Sequence, residues 1–254
     1  MCIKMKKVKN SLIFCCLALF VLNSCVPLDN YEIPKETLKG TIYVKGTNKT
    51  ETLQTEVSDQ GTRIRMMEYS WSDNPQPYDF YTFQDGKYNN TKIFKGSYKI
   101  SIDGAFVPLA DGITYDISGV VEIDWEVEPF LKIEWVGEPV VNAAKNKITA
   151  SCRITRGTTN SGFQQNVTDI YLFINSSSYH VGQHNHDNRY SGRLTGNAAQ
   201  NAFAAGGVIT ITTEGEFSSQ RDYYVRFGAR INYQTAGVQR YNYNTPKKVN
   251  VLSK

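Results

Sequence analysis

Apolar and polar residues alternate with a period of two along much of the chain, and this period predicts β-strands. The clearest example is residues 121–128, where four apolar residues alternate strictly with four acidic ones. The apolar positions are Val121, Ile123, Trp125 and Val127. This pattern predicts one half-buried strand with an acidic face in water.

The first half of the chain has three further strand patterns: residues 38–44, residues 62–69 and the run after Gly96. Tyr98, Ile100 and Ile102 share one face of the third run. Asp85-Gly86 is a dipeptide typical of the tight turn between two antiparallel strands.

The second half continues the strand pattern, and its predicted strands are residues 131–136, 147–155, 167–175, 208–213, 223–233 and 247–252. In the longest, the inward face is Tyr223, Val225, Phe227, Ala229, Ile231 and Tyr233, and the outward face is Tyr224, Arg226, Arg230 and Asn232. A Tyr near the start of a late strand suggests an immunoglobulin-like or fibronectin-III-like sandwich. Residues 197–207 predict one short helix, capped by Asn and stopped by Gly.

These patterns predict an all-β protein with two β-sandwich domains, residues 36–130 and residues 131–254. Glu128-Pro-Phe130 ends the first domain. One continuous sandwich formed by both halves is the alternative.

The N-terminus carries a basic stretch, Lys4 to Lys9, then an apolar run over residues 11–22 and the sequence Leu22-Asn-Ser-Cys25. This order describes an export signal over residues 1–24. The apolar run is short of the roughly 20 residues that a spanning helix needs. Leu-x-Ser-Cys resembles the bacterial lipobox, so we expect lipidation of Cys25 and a tether over residues 25–35. An ordinary secretory signal with an incidental cysteine is the alternative.

Charge and cysteine content limit the partners. Four of the 28 basic residues and none of the 24 acidic ones lie in residues 1–24, so the remaining chain has a net charge near zero. A nucleic-acid partner needs a concentrated basic surface, and we therefore expect none. Beyond Cys25 the only cysteine is Cys152, so no intramolecular disulfide is expected to stabilise the mature fold.

A family resemblance rests on the first half of the chain. Residues 85–88 followed by residues 94–100 resemble the hairpin of transthyretin-like, carboxypeptidase-regulatory-type domains, in which Asp-Gly-x-aromatic precedes Gly-x-Tyr-x-aliphatic. With Tyr-x-x-Pro at residues 31–34 and Trp71-Ser-Asp-Asn-Pro75, the chain resembles Bacteroidetes lipoproteins of domain-of-unknown-function family 3823. That resemblance implies association with SusC/SusD-like glycan-uptake systems at the outer membrane, with SusC/SusD-like proteins as expected partners, but no known activity.

One aromatic loop suggests ligand binding. Trp125 and Trp135 occupy apolar positions of alternating strands, whereas Trp71 lies in a polar segment interrupted by prolines. Exposed aromatic rings stack on sugar rings, and nearby amides and carboxylates bind the hydroxyls. The candidate residues for an oligosaccharide ligand are Tyr69, Trp71, Asp73, Asn74 and Tyr78. The alternative is that Trp71 folds back over the end of a sheet as a lid.

All three histidines, His180, His184 and His186, lie within seven residues of each other. His184 and His186, together with His180 or Asp187, could supply three ligands to zinc. A polar loop with incidental imidazoles is the favoured interpretation, so we expect no metal and no cofactor.

No nucleophile elbow, zinc-protease helix, phosphate loop or dinucleotide motif is present in the sequence. We therefore expect a non-catalytic, outward-facing outer-membrane lipoprotein that binds nutrient glycans. The alternatives are a structural or adhesion scaffold of the cell envelope and a metal-dependent enzyme that uses the histidine loop.

Overall fold

The computed structural model of the chain describes residues 32–251. The predicted signal peptide, Cys25 and the tether as far as residue 31 lie outside the described residues. Within residues 32–251, no helix has both the length and the apolarity needed to cross a membrane.

Eight strands form the N-terminal domain. They are β1 (Glu36–Val44), β2 (Arg63–Glu68), β3 (Pro77–Tyr81), β4 (Lys87–Ile93), β5 (Gly96–Asp103), β6 (Ile113–Ile117), β7 (Val120–Glu122) and β8 (Trp125–Val127). One sheet has the order β4-β1-β7, with β8 also paired to β1, and the other has the order β3-β2-β5-β6. Inward residues of both sheets, such as Ile42 and Ile100, share one hydrophobic core.

The acidic alternating segment differs from the prediction of a single strand. It forms β7 and β8, both parallel to β1, with a break at Ile123 and Asp124. A carboxylate oxygen of Asp124 accepts a hydrogen bond from the backbone N–H of Thr41 at 3.0 Å, and the Tyr88 hydroxyl donates to the carbonyl oxygen of Ile123. These side chains replace ladder bonds at the break, while the predicted inward face remains against the core.

Nine strands, one α-helix and a single 3-10 turn (Ser161–Phe163) form the described part of the C-terminal domain. The strands and the α-helix are β9 (Leu131–Trp135), β10 (Val140–Val141), β11 (Ile148–Arg156), β12 (Val167–Asn175), β13 (Gly192–Thr195), α1 (Asn197–Ala204), β14 (Ile209–Thr212), β15 (Asp222–Ile231), β16 (Asn242–Tyr243) and β17 (Lys247–Asn250). One sheet contains β10-β11-β14 with β9 on β11, and the other contains β13-β12-β15-β16 with β17 on β15. A second hydrophobic core lies between them.

The predicted all-β, two-sandwich fold is therefore confirmed, and the two separate cores exclude one continuous sandwich. The hydroxyl of Tyr223 donates to the carbonyl oxygen of Ser219 at 2.8 Å, as expected for a Tyr at the corner before a late strand. The predicted Asn cap of the helix is wrong. Gly196 occupies the cap position and provides no side-chain hydrogen bond.

One outward position of β15 is also different from the prediction. Arg226 was expected to contact solvent, but its side chain is fully buried. At this position the N-terminal domain covers the outer face of β15. Arg226 Nη1 donates to the carbonyl oxygen of Thr55, in that domain, at 2.7 Å. The two domains are thus joined by buried polar contacts that strand periodicity does not reveal.

Candidate functional site

Exposed aromatic side chains gather at one end of the N-terminal domain, which we call the aromatic end. Its members are Tyr69, Trp71, Tyr78, Phe94 and Tyr115, all of them exposed. Tyr69 and Trp71 follow β2, and Tyr78 is near the start of β3, opposite Met66 of β2. Phe94 lies in the turn between β4 and β5, and Tyr115 faces Tyr98 across the pairing of β5 with β6.

The loop between β2 and β3 presents Trp71 to solvent. Its side chain is 80% exposed, so the alternative in which it folds back as a lid is wrong. Asp73 and Asn74 are exposed in the same loop, and the backbone N–H of Asn74 donates to the Ser72 hydroxyl at 3.1 Å. The five predicted ligand residues therefore lie on one loop and the strand that follows it.

A small cavity opens beside this loop. Its volume is about 200 Å³, and its lining includes Met66, Glu68, Gln76, Tyr78, Lys92, Ile93, Phe94 and Tyr98. Oε1 of Glu68 is buried and has no hydrogen-bond partner among residues 32–251. Burial raises the pKa of Tyr98, and the charge of Glu68 raises it further. The Tyr98 phenol therefore stays protonated and donates to the carbonyl oxygen of Phe94 at 2.9 Å.

The aromatic end combines the two kinds of group that polyhydroxylated ligands need. Exposed ring faces can pack against the C–H face of a sugar ring. A carboxylate, an amide and an ammonium group around the cavity, from Glu68, Gln76 and Lys92, can exchange hydrogen bonds with hydroxyl groups. Sequence reasoning missed these three residues and Phe94, because their proximity to Tyr78 arises from the pairing of strands.

The three histidines do not converge on a metal site. No group of three or more His, Cys, Asp or Glu side chains is placed to hold a metal within the part of the chain that the structure describes. Nδ1 of His186 lies 2.9 Å from the carbonyl oxygen of Gln183, and its Nε2 lies 2.6 Å from Oδ1 of Asn188. Both ring nitrogens are therefore engaged within the loop.

The histidine loop contacts the N-terminal domain instead. The backbone N–H of His184 donates to Oε1 of Glu56, and the Tyr243 hydroxyl donates to Oε2 of the same carboxylate at 2.7 Å. Glu56 is buried, so this carboxylate binds the two domains together. His180 is exposed at the edge of the junction.

Two family models match the chain. The N-terminal domain model of the protein of unknown function family DUF3823 matches residues 36–128, and the model DUF3823_C, a domain of unknown function, matches residues 135–248. No curated protein sequence matches this chain.

Solved structures with a similar fold include three from Bacteroides species. A DUF3823 family protein from Bacteroides uniformis is 36% identical over 85% of this chain and 99% of its own, with a TM-score of 0.76. A putative carbohydrate binding protein from the same species is 21% identical over 85% of this chain and 99% of its own, with a TM-score of 0.67. A DUF3823 family protein from Bacteroides ovatus is 19% identical over 86% and 100%, with a TM-score of 0.62.

Proposed function

This chain belongs to the DUF3823 family, and on that premise we propose that it is a non-catalytic carbohydrate-binding protein anchored at the outer membrane. The observation that carries the proposal is the 80% exposure of Trp71, on the same loop as Gln76, which lines a cavity together with Glu68 and its unpaired carboxylate oxygen. An exposed indole offers a large apolar surface, and covering that surface with a ligand is favourable because it removes apolar area from water.

The comparison with solved structures supports the ligand class. One protein with the same fold is described as a putative carbohydrate binding protein, and at 21% identity its likeness to this chain concerns the fold. The chemistry of the aromatic end points to the same class, since exposed rings and hydroxyl-binding side chains lie together there.

The proposed place of action follows from the N-terminal sequence. Acyl chains on Cys25 would hold the two sandwiches at the outer membrane, because more than one buried acyl chain gives stable attachment. The protein would bind oligosaccharides weakly and raise their concentration near a SusC/SusD-like transporter, without chemistry of its own. The histidines do not support a metal enzyme, since their side chains do not form a ligand group.

Affinity electrophoresis of the purified chain in gels that contain neutral polysaccharides tests the proposal. We expect at least one polysaccharide, for example a xylan, a mannan or a β-glucan, to retard the chain. Trp71→Ala should weaken that retardation roughly tenfold, which corresponds to about 1.4 kcal/mol.

Val140→Ala provides the control, because Val140 is exposed on the other domain and should leave mobility unchanged. A chain that no polysaccharide retards would contradict carbohydrate binding and leave the scaffold role as the better explanation of the exposed rings.

A further inference from the structure

A groove at the junction of the two domains is larger than the cavity at the aromatic end. Its volume is about 480 Å³, within the range of pockets that bind small ligands. The N-terminal domain contributes residues of β1, β4 and the turn before β4, and the C-terminal domain contributes Tyr179 and His180. We propose that this junction groove is a second binding site, specific for a neutral oligosaccharide, that uses both domains at once.

Two aromatic side chains, one from each domain, border the junction groove. Phe83, in the turn before β4, is 50% exposed, and Tyr179, in the loop between β12 and β13, is 52% exposed. The ring of Tyr179 packs edge-on against Tyr224 of β15, with 5.8 Å between ring centroids. Tyr224 therefore packs against one side of Tyr179, while about half of the surface of Tyr179 stays accessible to a ligand.

The Asp85-Gly86 turn holds Phe83 in place. The backbone N–H of Phe83 donates to the carbonyl oxygen of Lys87 at 2.7 Å, and that of Gly86 donates to the carbonyl oxygen of Phe83 at 3.1 Å. Gly86 has φ +79°, and a Cβ there would lie 2.4 Å from the carbonyl oxygen of Leu53. The turn that identifies the hairpin in the sequence thus also builds one wall of the junction groove.

Gln84 positions the other wall. Its buried side-chain amide donates to the carbonyl oxygen of Tyr179 at 3.2 Å and accepts from the backbone N–H of Val181 at 3.0 Å. Both ends of one amide in the N-terminal domain thus bind the backbone of a C-terminal-domain loop on either side of His180. This contact holds the loop that carries Tyr179 next to the turn that carries Phe83.

The charges in the junction groove cancel in pairs. Nζ of Lys39 lies 3.2 Å from a carboxylate oxygen of Glu122, and Nζ of Lys87 lies 3.2 Å from a carboxylate oxygen of Asp85. All four side chains line the groove. A phosphorylated or strongly acidic ligand needs a surplus of positive charge, so this surface favours a neutral ligand.

The remaining lining is rich in groups that both donate and accept hydrogen bonds. Gln54, Asn89, Thr41 and His180 contribute two amides, a hydroxyl and an imidazole. Sugar hydroxyls need partners of both kinds, and the half-exposed rings of Phe83 and Tyr179 provide apolar faces for the sugar ring. The ligand class rests on the proposed function, whereas the position of the site rests on the junction alone.

Quantitative affinity electrophoresis of the purified chain, with the same panel of neutral polysaccharides, tests the proposal. The variants are Trp71→Ala, the double variant Phe83→Ala with Tyr179→Ala, and all three together. The test uses a polysaccharide that the Trp71→Ala variant still binds measurably. We expect the double variant to lose roughly tenfold or more in affinity for that polysaccharide. Thermal unfolding of each variant shows whether it is folded. We expect every variant to fold, because all three side chains are half exposed or more.

If the double variant binds as the wild type does and only Trp71→Ala loses affinity, the junction groove is not a binding site and the proposed function stands. Loss of affinity in the double variant alone supports the groove and removes the aromatic end as a site. If no neutral polysaccharide binds the wild type, both proposals fail. Heparin, a polyanion, separates ligand types. Binding of heparin in the groove of the wild type would contradict a neutral ligand, and Glu122→Lys, which reverses one charge in the groove, should strengthen any such binding.

Discussion

Arg226 Nη1 donates a hydrogen bond to the carbonyl oxygen of Thr55 at 2.7 Å, and this contact crosses from the C-terminal to the N-terminal domain. Arg226 Nε donates to the carbonyl oxygen of Asn244 at 2.6 Å, and the guanidinium lies 4.2 Å from the ring centroid of Tyr243. Burial lowers the pKa of Arg226 to about 10, so the side chain remains charged at neutral pH. Backbone carbonyls, an aromatic face and the nearby Glu56 therefore stabilise a fully buried charge, although its Nη2 has no hydrogen-bond partner among residues 32–251.

Replacement of this side chain should destabilise the junction. Arg226→Met keeps much of the volume but leaves buried carbonyl oxygens of Thr55 and Asn244 unpaired. We expect the free energy of unfolding to fall by about 3 kcal/mol, measured by urea denaturation. Arg153→Met, on the exposed face of β11, is the matched control and should change stability by less than about 0.5 kcal/mol. Equal losses in the two variants would show that the junction contact is not important for stability.

A second ion pair crosses the junction, between the buried Arg240 and the partly buried Asp103. Nη2 of Arg240 lies 3.0 Å from Asp103 Oδ1, and Nε of Arg63 donates to Oδ2 at 2.8 Å. Asp103→Ala leaves the buried Arg240 without its carboxylate, which should lower the free energy of unfolding by about 3 kcal/mol. Asp116→Ala, on the exposed face of β6, should have little effect in the same urea titration. An Asp103 variant as stable as this control would mean that water replaces the carboxylate.

The stability of the N-terminal domain should depend on the ionisation of Asp79. Hydrogen bonds from Arg65, at 2.8 Å and 2.7 Å, hold the pKa of Asp79 below its ordinary value. A carboxyl whose pKa is lowered by folding stabilises the folded state above its unfolded pKa, about 4, and loses this effect as the pH falls through the folded pKa.

Asp79→Asn should therefore lower the urea midpoint at pH 7 and have a much smaller effect near pH 2. Asp116→Asn is the control and should show a similar, small effect at both values. A loss of stability in Asp79→Asn that is independent of pH would assign its role to packing or neutral hydrogen bonds.

Membrane attachment should depend on Cys25. We expect fatty-acid labelling of the chain in its bacterial host and recovery in the membrane fraction, with both lost in Cys25→Ser. Cys152→Ser is the control, because Cys152 is fully buried on β11 and burial raises the pKa of its thiol to about 12. Labelling that persists in Cys25→Ser would place the acyl chains elsewhere and contradict the lipobox prediction.

Alternating strands were predictable because one face of each contacts a core and the other contacts water. Ile100 and Ile102 on β5, and Val225 and Phe227 on β15, are buried as their spacing predicts. The position of Trp71 outside a central strand was also predictable from the prolines in its loop, but only the structure decided that the indole is exposed and not a lid. The break between β7 and β8 was not, because it depends on Tyr88 from a different strand.

The candidate sites show the same division. Tyr69, Trp71 and Tyr78 are close in sequence, so local reasoning could group them. Phe83 and Tyr179 are almost a hundred positions apart, and tertiary contacts such as that of Gln84 with the loop that carries Tyr179 bring them to one groove.

The sequence by itself determined the all-β class and the inward face of most strands, because these follow from a local period of two and from turn residues. The choice between two sandwiches and one continuous sandwich was decided by the two separate cores. Tertiary structure decided where the two domains meet, and therefore that Arg226 is buried and that Tyr179 borders a groove. The physical reason is that a domain interface forms between outward-facing residues. Their polar character predicts contact with solvent, and the sequence pattern does not show that a partner surface provides the hydrogen bonds instead.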